Sequence, residues 1–262
     1  MILPAKAIEL RGARGAIVAL CSLVQVAVAD PAAAAGCNFA SLGEGHVAEV
    51  IDARSFRLAD GREIRLAGIE PARPGTSALS AILAGKDVTL SGEDDAPDRY
   101  GRQTAFVSLA SSKTSVQEQL LAQGEALVSS TVADKECAAT LAAAETAARQ
   151  ARRGTWARPT AIKNAESPDD ILAGIGRFTV VEGKVLSVRE AGATTYLNFG
   201  RNWTRGFAVT ISRRVLPSFE AAGIAVKSLE NRRIRVRGWV EDHGGPRIEA
   251  LRVGQIELVG EN

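Results

Sequence analysis

From Gly45 onward the sequence alternates with a period of two residues. His46-Val47-Ala48-Glu49-Val50-Ile51 leads to Ser55-Phe56-Arg57-Leu58, and the turn Ala59-Asp60-Gly61 returns into Glu63-Ile64-Arg65-Leu66-Ala67-Gly68-Ile69. Successive strand side chains point to opposite faces, so this pattern commits one face to a core and the other to water. An Asp-Gly pair between two such runs is a strong local signal for a hairpin turn. Further strands are expected at Val88-Thr89-Leu90 and at Thr104-Ala105-Phe106-Val107-Ser108-Leu109, around an acidic, turn-rich segment at 92–101. Helices are expected at 76–84, at Val116 to Gln123 ending on Gly124, and from Cys137 to Arg153 before Gly154. The chain therefore reads as mainly β with helices.

Residues 158–170 (RPTAIKNAESPDD) hold two prolines and little apolar material, so 159–172 is expected to be a linker. Beyond it, strands are expected at Phe178 to Val188, Thr194 to Phe199, Phe207 to Ile211, Arg233 to Val240 and Ile248 to Val259, with a short helix at 213–222. Five strands with one helical connection fit a second five-stranded barrel of the OB type over 173–262. Charge separates the two parts. Residues 37–176 hold 15 Lys+Arg against 19 Asp+Glu, a net of −4, whereas residues 177–262 hold 14 against 9, a net of +5. Any attraction for a polyanion by overall field falls on the C-terminal part.

Residues 1–36 read as a secretory signal peptide. Lys6, Arg11 and Arg14 form a positive start, Gly15 to Ala29 is an uncharged apolar run, and Ala32 to Gly36 is a small-residue stretch suited to cleavage. The apolar run is short for a membrane span. Export removes Cys21 and leaves Cys37 and Cys137 as an even pair in an oxidising compartment, where a disulfide is the economical reading. The rival is a lipoprotein acylated at Cys37, since Ala34-Ala35-Gly36-Cys37 loosely resembles a lipobox.

Three stretches in order carry a family resemblance: Val50-Ile51-Asp52-Ala53-Arg54-Ser55-Phe56-Arg57-Leu58, Ile64-Arg65-Leu66-Ala67-Gly68-Ile69-Glu70, and Asp98-Arg99-Tyr100-Gly101-Arg102. The closing segment Ala151-Arg152-Arg153-Gly154-Thr155-Trp156 adds a fourth. Residues 43–158 resemble the thermonuclease (staphylococcal-nuclease-like) family. The resemblance implies a five-stranded OB barrel carrying helices, followed here by the second OB-like barrel. It also implies calcium-dependent phosphodiester hydrolysis. Calcium needs several oxygen ligands, a glutamate handles the attacking water, and two arginines neutralise the phosphoryl oxygens.

Carried over by position, the phosphate arginines are Arg65 and Arg102. With Glu70 they are the candidate catalytic residues, and Asp52 and Glu70 are the candidate metal ligands. Two positions depart from the pattern. Where the family has Asp-Gly-Asp-Thr, this chain has Asp52-Ala53-Arg54-Ser55, so Arg54 replaces a metal-binding aspartate. Where the family has Asp-x-Pro-Glu, this chain has Glu70-Pro71-Ala72-Arg73, so Arg73 replaces the water-handling glutamate. A guanidinium neither ligates a cation nor accepts a proton near neutral pH. At an effective dielectric of about 20, a positive charge roughly 5 Å from Ca²⁺ costs on the order of 6–7 kcal/mol before relaxation.

Two arrangements of these groups are expected. Arg54, Arg65, Arg73 and Arg102 form a metal-free phosphate site, or Arg54 and Arg73 pair with Asp52 and Glu70 as a structural network. In the C-terminal part, Arg201, Trp203 and Arg205 interleave charge and an aromatic ring in a loop, as single-strand-binding OB folds do. Tyr196, Phe199 and Trp239 read as core, and Arg233, Arg235 and Arg237 as one strand face. The first expectation is therefore an exported, non-catalytic protein that binds single-stranded nucleic acid or a phosphate-bearing ligand and uses no cofactor. An active metal-dependent nuclease using Ca²⁺ is the second, and a protein-interaction module the third.

Overall fold

The computed structural model describes residues 36–110, 112, 114–202 and 204–260. The signal-peptide and lipobox readings fall mostly on residues outside that set, and so does Trp203.

The alternating run at the start of the described chain forms β1 (Ala40–Val50), β2 (Ser55–Leu58) and β3 (Glu63–Leu66). Phe56, Leu58, Ile64 and Leu66 are buried, as their parity requires. After β4 (Ile69–Pro71) and α1 (Ser77–Leu83), β5 (Asp87–Gly92) and β6 (Gln103–Leu109) complete a closed barrel in the order β1-β2-β3-β6-β5. The β3–β6 pair is parallel and the other pairs are antiparallel. This is the five-stranded OB-like barrel that the resemblance implied.

Helices cover the barrel. α2 (Val116–Gln123) opens with a reciprocal capping box, in which Ser115 and Glu118 each satisfy the other's backbone N–H. It closes on Gly124 in the left-handed conformation. β7 (Ala126–Val128) pairs with β4 in a small sheet. α3 (Lys135–Gln150) then starts on Asp134, whose carboxylate accepts from the N–H of Cys137. Gly124 and Gly154 touch. A Cβ on Gly124 would lie 2.2 Å from the carbonyl oxygen of Arg153, and one on Gly154 would lie 2.4 Å from that of Gln123. Only glycine at both sites lets the end of α2 pass under the exit of α3. Cys37 and Cys137 form a disulfide that ties the approach to β1 onto the first turn of α3.

The stretch expected to be a linker is ordered structure. It contains β8 (Ile162–Asn164), which pairs in parallel with the next strand, and α4 (Pro168–Leu172), which buries Ile171. β9 (Phe178–Lys184), β10 (Ser187–Ala191), β11 (Thr194–Asn198) and β12 (Ala208–Ser212) follow, then α5 (Leu216–Ala221), β13 (Arg233–Asp242), β14 (Pro246–Glu249) and β15 (Ile256–Leu258).

The second part is an eight-stranded sheet in the order β10-β11-β12-β14-β13-β9-β8, with β15 also on β13. The expected first strand breaks at Val185-Leu186, whose N–H groups bond to Arg232 and Asn198 and not within one ladder. The expected last strand breaks at 250–255. β8 and β15 then extend the sheet past a five-strand set. Even so, β12 pairs with β14 in parallel, as β3 does with β6, so the strand order of the barrel recurs.

A third apolar cluster sits between the two parts, formed by Leu127, Ala148, Trp156 and Val180. Above it, Arg235 bonds Glu182 and Glu257, and Arg237 reaches across to Glu145 of α3.

Candidate functional site

The hairpin loop between β1 and β2 sets the first group of residues. The N–H groups of Ile51 and Asp52 donate to the carbonyl of Ser55, and the Asp52 carboxylate accepts from the Arg54 N–H at 2.8 Å. This turn lifts the Arg54 side chain over the end of β3, where its guanidinium pairs with Glu70 and donates to the carbonyl of Ile69 at 3.1 Å. Both side chains of the pair are close to buried, 12% and 10% exposed. Burial pushes the Glu70 carboxyl above the usual glutamate range, against the pull of Arg54, and the nearby Asp52 pushes the same way. Its second oxygen, Oε2, is buried with no hydrogen-bond partner among the described residues. The Ser55 hydroxyl is likewise buried without a hydrogen-bond partner among the described residues.

Arg65 lies on the outer face of β3, with Ile64 and Leu66 pointing into the core. Its register partners are Ser55 on β2 and Thr104 on β6. It makes no side-chain hydrogen bond or ion pair among the described residues. Arg102 stands just before β6 and is held by Asp98 through Nε at 3.0 Å and Nη2 at 2.7 Å. The Asp98 carboxylate, fixed by Arg102 and by the backbone N–H groups of Tyr100 and Arg102, stays below the usual aspartate range. Tyr100 is 64% exposed, with the guanidinium carbons of Arg99 and Arg102 at 4.7 and 4.9 Å from its ring centre. The hydrogen bonds Arg102 donates to Asp98, with a smaller pull from Asp52, raise the pKa of its guanidinium.

Arg73 forms a two-pronged pair with Glu125 at 2.6 and 2.8 Å. The expected pairing of Arg54 and Arg73 with Asp52 and Glu70 is met only at Arg54–Glu70. Glu125 lies just past the α2 cap and faces Arg73 because β4 and β7 are paired, a contact no local pattern in the sequence announces.

In the second part, Arg201 and Arg205 are exposed, and the Asn202 side chain caps the backbone N–H groups of Thr204 and Arg205. The arginines of β13 are not a solvated face. Arg233 and Arg235 pair with Glu182, and Arg237 is buried. Phe199 is core and Tyr196 is half-buried under Arg247, whereas Trp239 is 47% exposed. Parity could have found this, because Ile234, Val236 and Val240 face the core and Trp239 shares the arginines' side of the strand.

No helix among the described residues is long and apolar enough to cross a membrane. Residues 72–158 match the family model described as Staphylococcal nuclease homologue. With the closed barrel, this establishes a thermonuclease-like domain in the first part of the chain. The match begins just past Glu70, so Asp52, Arg54 and Arg65 lie outside it and Arg73 and Arg102 within it. No curated protein matches the chain.

Proposed function

We propose that this is an exported protein that binds nucleic acid or another phosphate-bearing ligand on a thermonuclease-like barrel, and that it does so without calcium and without hydrolysis. The observation that carries this reading is the Arg54 guanidinium seated on Glu70. It puts a permanent built-in cation on the carboxylate that a metal would need. Calcium requires several oxygen donors. One Asp52 oxygen is taken by the Arg54 N–H and one Glu70 oxygen by its side chain, and no group of three His, Cys, Asp or Glu side chains comes together among the described residues. That donor set does not fit calcium, and Arg73 offers no base to activate water.

What remains suits binding. Arg65 presents a cation with no counter-charge among the described residues, and Arg102 is pre-oriented by Asp98 beside an exposed tyrosine ring. Guanidinium forks match phosphate oxygens in pairs. Export is supported by the Cys37–Cys137 disulfide, since such bonds persist in oxidising compartments.

The test is binding and cleavage of labelled single- and double-stranded DNA and RNA oligonucleotides by the purified protein, with Ca²⁺ or with chelator. Salt-dependent binding that chelator leaves unchanged, that Arg65→Ala/Arg102→Ala weakens, and that produces no cleavage is the expected result. Calcium-dependent cleavage lost in Arg65→Ala would overturn the proposal in favour of an active nuclease.

A further inference from the structure

A cleft runs along the seam between the two parts of the chain, away from Arg65 and Arg102. Its basic lining comes from separate segments: Arg73 after β4, Arg158 and Lys163 around the start of β8, and Arg177 just before β9. Glu70 is the only carboxylate among its lining residues, and Arg54 already neutralises it. Arg73 has its counter-charge in Glu125, but Arg158, Lys163 and Arg177 have no ion-pair partner among the described residues. Arg158 and Arg177 are exposed.

One wall of the cleft is aromatic. Trp239 on β13 sits opposite Phe178 on β9, and the two rings meet edge to face at 6.0 Å and 76°. Phe178 thereby props the indole at a fixed angle while leaving it 47% exposed. Leu127 and Val180, part of the apolar cluster between the two parts, also line the cleft. Among the described residues nothing covers the rest of the indole, so a face of the ring is open to stack on.

We propose that this cleft binds single-stranded nucleic acid, with a base stacked on Trp239 and the flanking phosphates on Arg158, Lys163 and Arg177. An aromatic platform beside unneutralised cations is the combination that single strands require. A duplex keeps its bases stacked internally and gains only from the charges. The inference uses different residues from the phosphate binding proposed at Arg65 and Arg102, and it stands whether or not that reading holds.

The experiment is fluorescence anisotropy of a labelled 12-nucleotide oligothymidylate against the full chain. Unlabelled heparin and duplex DNA serve as competitors, and circular dichroism monitors folding of each variant. Trp239→Ala should weaken oligothymidylate binding about ten- to hundredfold while leaving heparin binding unchanged, and Trp239→Phe should restore most of the loss. Arg158→Ala/Arg177→Ala should weaken both ligands and flatten the salt dependence. The variant Arg65→Ala/Arg102→Ala should keep the part of binding that depends on Trp239. Wild-type affinity in folded Trp239→Ala, or in folded Arg158→Ala/Arg177→Ala, overturns the inference without touching the barrel site. Equal loss of heparin binding in Trp239→Ala also overturns it, because the indole would then act through something other than stacking.

Discussion

Arg237 and Glu145 meet face to face across the seam, Nη1 on Oε2 and Nη2 on Oε1, each at 2.9 Å, with side chains only 10% and 3% exposed. The same pair satisfies β7. Arg237 donates to the carbonyl of Val128 at 3.1 Å, and the N–H of Val128 donates to Glu145 at 2.6 Å. Removing one partner leaves a buried charge, so Arg237→Ala should cost about 3–5 kcal/mol. The double variant Arg237→Leu/Glu145→Leu should be less destabilised than Arg237→Ala, since no lone charge remains. It should still fall short of wild type, because Val128 loses partners for both backbone groups. Urea denaturation of the three proteins checks the order.

Arg54→Asp should turn the Asp52–Glu70 region into a cation site. Three carboxylates would then repel one another, so the variant should be less stable than wild type in chelator and should regain stability with Ca²⁺. Ligand linkage gives about 2.7 kcal/mol at a hundredfold excess over Kd. Thermal melts with and without Ca²⁺ read this directly, and wild type should show no such gain.

The Cys37–Cys137 bridge closes a loop with a sequence separation of 100. Chain entropy gives up to about 4.7 kcal/mol for a closure of that length. Reductant, or Cys37→Ser/Cys137→Ser, should lower the unfolding midpoint accordingly, and the intact mass of the oxidised protein should lie two hydrogens below the reduced one.

Acid should loosen the second sheet. Burial alone would raise the pKa of Glu182, but hydrogen bonds from Arg233 and Arg235 outweigh it and hold the carboxyl below its ordinary value. A depressed carboxyl stabilises the fold above its unfolded pKa of about 4.3 and loses that contribution as pH falls through its folded value. Glu182→Gln should therefore flatten the acid limb of a stability–pH curve. Glu70 has the opposite sign, raised by burial, and weighs against the fold as pH climbs past the usual glutamate range.

The first barrel was legible because its signals are local. The alternation of Glu63-Ile64-Arg65-Leu66 names its own inner face, and the run from Val116 to Gln123 announces α2 by ending on Gly124. What stayed hidden depends on partners distant in sequence. Arg237 reads as a surface charge until α3, 92 residues earlier, brings Glu145 to it. Arg73 reads as a site residue until the β4–β7 pair, with three residues in each strand, turns it toward Glu125. Strands that short carry too little periodicity to detect. Polar, proline-bearing composition hid β8, whose backbone ladder to β9 is supported by one apolar residue of its own, Ile162.

That ladder bears on how the chain comes apart. A protease cut or truncation between 159 and 172, where composition suggests a natural boundary, would strip β8 from β9 and bare a strand edge ready to pair with another molecule. It would also leave the C-terminal fragment with Arg237 uncountered and the apolar cluster at the seam open to water. The two halves look separable in composition, yet the seam packs them together, so they should melt in one transition and either half alone should be prone to aggregate.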